Sequence, residues 1–450
     1  MSCGQPKWFD AGNDPAVRAV PRLLLIKSAI EPKARDGYEK KVESMQSLSA
    51  CFHTGQRVYV AGSSNEPRGL LARLATLDLP ADLEFIQFPL PGLNTTDFTA
   101  LNDTASMTTF FMSATLAKAA DPRRVHFLPM QMRAVFDYLS AGVDVCLLQA
   151  AFDRDGVLRM GPNVDFNAAV LDCAKTVIVE INRGFVAPAG GLVIDPDRID
   201  YAFESSLPLP EMASPKLDDV SLKIGERVAG LIRDGDCLQT GIGAIPAAIL
   251  GQLTDKNDLG LHGGLLDGGG QALIQLGNVT GQRKAIDPGQ HVTGMALGDH
   301  AFFNWLSEAP NVVFRGANYT HDVNVIRQLT QFVSINSAVE VDLFGQVNAE
   351  VAGGKQISGT GGSVDFMRAA KASKGGRSIV AMTATARGGS VSRIVSKVEM
   401  VTALRTDVDI VVTEFGVAHM KALNHRDRVE AMIALAAPDF RAALSAKGSV

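Results

Sequence analysis

From Gln56 onward, short apolar runs alternate with segments whose apolar positions repeat at helical spacing. Arg57-Val58-Tyr59-Val60-Ala61 reads as a short buried strand. It runs into Gly62-Ser63-Ser64-Asn65-Glu66-Pro67, a turn that doubles as a helix start, and Leu70, Leu71 and Leu74 then mark a helix over residues 68–78. Leu83-Glu84-Phe85-Ile86-Gln87 is the next strand. The β-branched runs 143–148 and 176–181 predict two more, with a helix over 166–174 between them. Strands buried on both faces and alternating with helices predict a largely parallel sheet covered on both sides.

The alternation breaks in the proline-rich stretch Ser205-Ser206-Leu207-Pro208-Leu209-Pro210-Glu211, with Pro215 beyond. It resumes with a helix over 222–233, the strand Cys237-Leu238-Gln239 and a helix over 247–253. Both halves carry a strand running into glycine, at 56–62 and 236–241, followed by a proline and a leucine-bearing helix. A duplicated α/β unit and a chance likeness of two common strand–turn–helix units both account for that echo. The expected organisation is an N-terminal arm over residues 1–55, interrupted by Pro15, Pro21 and Pro32, then α/β domains over 56–212 and 213–450.

Composition narrows the function. A net charge of −5 gives nucleic-acid binding no electrostatic support. No apolar run is long enough for a transmembrane helix. Met1-Ser2-Cys3-Gly4 does not start a signal peptide. Five scattered cysteines with no Cys-x-x-Cys pair predict reduced thiols in a cytoplasmic protein, and the absence of clustered ligand spacings predicts no metal site.

Three glycine-rich stretches are candidates for chemistry. Gly241-Ile242-Gly243 lies between a strand and a helix, where backbone amides can face a phosphate, although Pro246 stands where a dinucleotide fingerprint needs its third glycine. A plain tight turn explains it equally. Gly359-Thr360-Gly361-Gly362-Ser363 opens a helix over 364–372, and so many glycines imply close approach of the backbone to a ligand or to a packed loop. Gly260-Leu261-His262-Gly263-Gly264 leads into Asp267-Gly268-Gly269-Gly270, a run read as flexible or sharply turned. His262 there, and His321 in Tyr319-Thr320-His321-Asp322, are candidate bases or ordinary core histidines. Glu340 and Asp342 share a face of a strand over 339–343, and structural hydrogen bonding suits them better than catalysis.

Three longer stretches are more specific. Residues 334–350 (Ser334-Ile335-Asn336 through Asn348-Ala349-Glu350), 358–366 and 405–418 resemble signatures of the acetyl-CoA hydrolase/transferase family, and 234–250 fits as well. The resemblance runs from residue 55 to the C-terminus and is weaker in the first half. It implies two related, open, largely parallel α/β domains with the active site between them, as in the class I CoA-transferases acting on 4-hydroxybutyrate, acetate and succinate. It also implies a homo-oligomer, to which the N-terminal arm would contribute, with a CoA ester as substrate, a carboxylate as acceptor and no cation, flavin or nicotinamide.

In that family a glutamate attacks the thioester and carries CoA as a glutamyl thioester. It stands in Gly-(Ile/Leu)-His-(Ser/Thr)-Glu, which places Gly264 at the nucleophile position here. His321 stands where members carry an asparagine that serves the oxyanion, and Gly359, Gly361 and Gly362 match the family without change. Glycine forms no covalent CoA intermediate. The expectation is therefore hydrolysis of a CoA thioester or of a β-keto acyl-CoA, with His321 and His262 as base or carbonyl polariser, Glu350 as a substitute carboxylate, and Gly241, Gly243 and the 359–362 loop binding the ester. Transfer through another glutamate and a non-catalytic acyl-CoA-binding protein are the alternatives. Restoring glutamate at position 264 is expected to restore transfer.

Overall fold

A computed structural model describes residues 48–113, 116–119 and 121–448. Most of the expected N-terminal arm, residues 1–47, lies outside them.

The first half is an eight-stranded sheet. Strand β1 (Arg57–Val60) lies between β2 (Glu84–Gln87) and β5 (Val145–Phe152). Beyond β2 follow β3 (Ser106–Thr109) and β4 (Val125–Phe127); beyond β5 follow β7 (Thr176–Asn182) and β8 (Tyr201–Ser205). All these pairs are parallel, and only β6 (Leu158–Met160) runs antiparallel, against β5. The two-residue period of a strand sorts its side chains. Val58, Val60, Val145 and Leu147 enter a core on one face, and Tyr59, Ala61, Cys146 and Leu148 enter the core on the other. That second core continues into Ile224, Leu238, Phe314 and Val333 of the second half, so one apolar interior joins the two halves.

The second half is built on a six-stranded sheet in the order β10 (Gly260–Leu261), β9 (Cys237–Gln239), β15 (Phe332–Asn336), β16 (Arg377–Ala381), β17 (Ile410–Thr413) and β18 (Gly416–His419). Only the final pair is antiparallel. Short strands β11 (Leu265–Leu266), β12 (His291–Thr293), β13 (Met295–Ala296) and β14 (Val312–Phe314) extend from its β10 edge toward the first half. The fold is thus the expected pair of open, largely parallel α/β units.

Element boundaries moved where capping chemistry decides them. The helix expected over 222–233 is Asp219–Ala229, because the Asp218 side chain accepts from Ser221 N at the start and Gly230 follows the end. The helix expected over 247–253 is Ala244–Gly251, with Pro246 in its first turn, where its missing N–H costs nothing. The first helix stops at Leu74. The glycine run after Asp267 is not a sharp turn. It begins the helix Gly268–Gln275, capped by Asp267 accepting from Gly269 N and Gly270 N at 3.1 Å each. Among the described residues no helix is long and apolar enough to cross a membrane, and Cys146, Cys173 and Cys237 form no disulfide.

Candidate functional site

The chain changes strand partner at residues 262–264. His262 N still donates to Leu238 O of β9, Gly263 N already donates to Val292 O, and the Gly264 carbonyl accepts from Met295 N at 2.9 Å. The first half closes on the far side of that same segment. Val164 N donates to Gly294 O, Ala296 N donates to Pro162 O, and the Ser64 hydroxyl donates to Ala296 O. Gly264 therefore stands at the seam between the halves, separated from the first half by a single strand.

His321 fills the space beside it. The short helix Ala317–Thr320 ends at His321, whose N–H donates to Ala317 O. A Cβ added at Gly264 would lie 2.9 Å from His321 Cε1 and 3.0 Å from Nε2, and one added at Gly362 would collide with Cδ2 and Nε2 from the other side. Phe366 packs on the ring at 4.4 Å between centroids. The Thr320 hydroxyl lies 3.2 Å from Gly316 O and 2.8 Å from His321 Nδ1; in the tautomer in which Nδ1–H donates to Thr320 Oγ1 and the hydroxyl donates to Gly316 O, Nε2 is the acceptor that faces the two glycines. Burial pushes the His321 imidazole down to about 3, which keeps it neutral. Gly362 has an ordinary φ of −98°, so its constraint is space alone. Gly362→Ala is expected to cost about 1–3 kcal/mol by overpacking. In a His321→Ala background the added cost should be smaller, because the two positions share one volume; thermal melts of both variants and the double decide it.

His262 is fully buried, and neither ring nitrogen has a partner among the described residues. Its ring lies 5.9 Å from Tyr319 and 6.4 Å from Phe332, and borders a void of about 10 Å3 shared with Gln239, His291 and Thr293. Burial first, then the nearby Lys284 and His321, pushes it down to about 3. His291, which the sequence reading did not single out, is pushed down to about 4 by burial and Lys284. Lys284 is itself buried, donates to Leu261 O and Gln290 O, and is shifted down by burial.

A second missed residue comes from the first half. Asp165 is buried in the turn after Asn163, and its Oδ1 has no partner. Burial raises its carboxyl to about 8. A Cβ at Gly294 would collide with Oδ1, and the Gly264 carbonyl oxygen is 3.3 Å from that same point. The Asp165 carbonyl accepts from Ala317 N at 2.7 Å, tying it to the turn that carries His321. Asn65 Nδ2 is also unpartnered on this side. Neither residue lies in a recognisable motif, so only the fold could expose them.

The two glycine loops differ. Gly241 and Gly243 face open space, and Gly243 has φ +117°, which favours glycine. Gly243 borders a cleft of about 430 Å3 with Asp267, Gly268, Leu297, Gly298 and Phe302, and no Lys or Arg lines it. The 359–362 loop instead packs on protein. A Cβ at Gly359 would collide with Phe110 O, Thr360 Oγ1 donates to Met130 O at 2.6 Å, and Gly361, at φ +53°, accepts from Met132 N. Glu350 is not drawn into this group. It accepts from Thr402 Oγ1 at 2.8 Å and from Gln356 Nε2 at 3.3 Å. Asp322 likewise points away, to Arg133. Glu340 and Asp342 serve local hydrogen bonds, Glu340 with Asn348 and Glu399 N, Asp342 with Phe344 N and Gln346.

The segment 262–264 lies between the two regions that family models match, with Asp165 in the first region and His321 in the second. Residues 28–204 match the model of the acetyl-CoA hydrolase/transferase N-terminal domain, and residues 298–448 match that of the C-terminal domain. The chain belongs to the acetyl-CoA hydrolase/transferase family. It is 35% identical over 415 residues to a 4-hydroxybutyrate coenzyme A transferase of Clostridium kluyveri, covering 90% of this chain and 97% of that one. It is similar to an acetyl-CoA hydrolase of Kluyveromyces lactis at a lower 23% over 494 residues, covering 95% and 91%. Among solved structures it superposes on RipA from Yersinia pestis with a TM-score of 0.85 at 31% identity, covering 92% of this chain and 98% of that one. Homologues are CoA-transferases and acetyl-CoA hydrolases, so this member of the acetyl-CoA hydrolase/transferase family is an enzyme acting on acyl-CoA.

Proposed function

We propose that this family member hydrolyses a CoA thioester, or a β-keto acyl-CoA, instead of passing CoA to a carboxylate. The observation that carries the reading is the Gly264–His321 contact: the position where the family resemblance puts an attacking carboxylate has no side chain, and an imidazole occupies the adjoining space. His321 Nε2, an acceptor, is suited to take a proton from a water that adds to the thioester carbonyl. The tetrahedral intermediate then collapses with loss of the C–S bond. Glu350 is a poor substitute nucleophile, since Thr402 and Gln356 hold both its oxygens. The cleft beside Gly243 has room and no cation, which suits an uncharged pantetheine or acyl chain better than phosphate. The non-catalytic reading draws on one observation, the 1% exposure of His321.

Free-thiol release from a panel of acyl-CoAs, with and without acetate, tests the proposal. Release that does not need acetate is the expected result. CoA exchange only when acetate is present would establish transfer instead, and tight binding of esters without turnover would leave a binding protein.

A further inference from the structure

A hydrolase that lacks a covalent carboxylate has a second problem besides activating water: the departing CoA sulfur needs a proton. Thiols have pKa values near 8.5, so an efficient donor is an acid that is still protonated at neutral pH and titrates close to that value. A solvent-exposed carboxyl, ionised above pH 4–5, cannot fill the role.

We propose that Asp165, contributed by the first half, is the proton donor to the leaving CoA thiolate, working opposite His321 across Gly264. This rests on the hydrolysis reading above. Three observations place it there. Asp165 is 4% exposed, yet its Oδ1 has no hydrogen-bond partner, an unsatisfied state that a structural carboxylate does not normally keep. That oxygen packs against Gly294, whose lack of a side chain lets it reach the strand next to Gly264. Its own backbone carbonyl holds the turn that positions His321, so acid and base are fixed to one framework.

The surroundings leave the carboxyl protonated. The titratable groups on the elements around it include Tyr59 on β1, Asp172 on the following helix Asn167–Cys173, His291 on β12, and Arg315, Tyr319 and His321 around the 317–320 turn. Arg133, on the neighbouring helix Met132–Ser140, is engaged by Asp137 and Asp322. No ion pair to Asp165 is formed among the described residues. The raised carboxyl follows from burial alone and sits close to the thiol it would serve.

The step balances. Water adds to the thioester carbon and gives its proton to His321 Nε2. The C–S bond breaks, sulfur takes the carboxyl proton of Asp165, and the acid and CoA–SH leave. The His321 imidazolium then returns its proton to the Asp165 carboxylate, restoring both groups.

Asp165→Asn tests the role, because the amide is isosteric with the protonated acid and keeps its uncharged, hydrogen-bonding character while losing the transferable proton. The expected result is a fall in kcat of about 100-fold or more, with KM within a factor of about three. The parent enzyme should show an alkaline limb near pH 8 that the residual activity of the variant lacks. A kcat within about threefold of the parent, or an alkaline limb that survives the substitution, would overturn the proposal. So would a parent profile with no limb in that range. A parent enzyme that releases no thiol from any acyl-CoA would defeat the hydrolysis reading, and this one with it; a parent that hydrolyses but is indifferent to Asp165→Asn would defeat this one alone.

Discussion

Gly264→Glu alone is expected to gain no carboxylate-dependent CoA exchange and to melt at a lower temperature than the parent, whereas Gly264→Glu combined with His321→Asn is expected to gain exchange. The reason is a shared volume. A side chain at 264 would start 2.9–3.0 Å from two atoms of the His321 ring. The ring has no retreat: Gly362 backs it, Phe366 lies 4.4 Å away, and Thr320 holds Nδ1. Overpacking of this kind costs about 1–3 kcal/mol, and a carboxylate forced into a dry seam adds a desolvation penalty. Asparagine is shorter, and the family resemblance puts asparagine at 321. The simple expectation from sequence, that glutamate at 264 would suffice, takes no account of the His321 ring in that volume. Isotope exchange of CoA between an acyl-CoA and acetate, with a thermal melt for each variant, checks it. A single Gly264→Glu variant that exchanges as fast as the double would show that the two positions do not compete.

Opposite limbs of the pH–stability curve are expected to respond to His321→Asn and Asp165→Asn. His321 is held neutral, at about 3 against an ordinary value near 6.5. Its folded pKa is depressed, so the unfolded chain binds the extra proton, and the group costs stability as pH falls from 6.5 toward 3. Asp165 is the reverse. Its folded pKa of about 8 exceeds the unfolded value near 3.9, so the folded chain binds the extra proton, and stability is lost as pH rises from 4 to 8. Each contributes at most about 1.4 kcal/mol per pH unit inside its window. Relative to the parent, His321→Asn should gain stability below pH 6, and Asp165→Asn should gain it steadily up to pH 8. Urea midpoints across pH 4–9 measure both. Parallel curves for Asp165→Asn and the parent would mean that the carboxyl is not held protonated. A variant that is more stable at pH 8 and yet nearly inactive would separate proton donation from any structural role.

The sequence by itself determined the α/β alternation, because apolar period and β-branched content are local properties. Strands at 57–60, 84–87, 176–182 and 237–239 lie where these properties put them. Helix ends were less legible. They depend on single capping contacts such as Asp218 to Ser221 N, which outweigh the apolar period over a turn. The motifs also carried the family, since its signature stretches at 334–350, 358–366 and 405–418 are local patterns. Tertiary structure alone decided what lies beside Gly264. His321 lies far from it along the chain, and their contact arises only because residues 262–264 change strand partner while the 317–320 turn is pinned by Asp165. From composition, the glycines at 359 and 362 read as close approach to a ligand or to a packed loop alike. Their close approach proves to be to Phe110 and His321, and a glycine does not record in sequence what its missing side chain makes room for. Asp165 was invisible for the same kind of reason: burial without a partner is a property of the surroundings, and those come from two halves of the chain folded against each other.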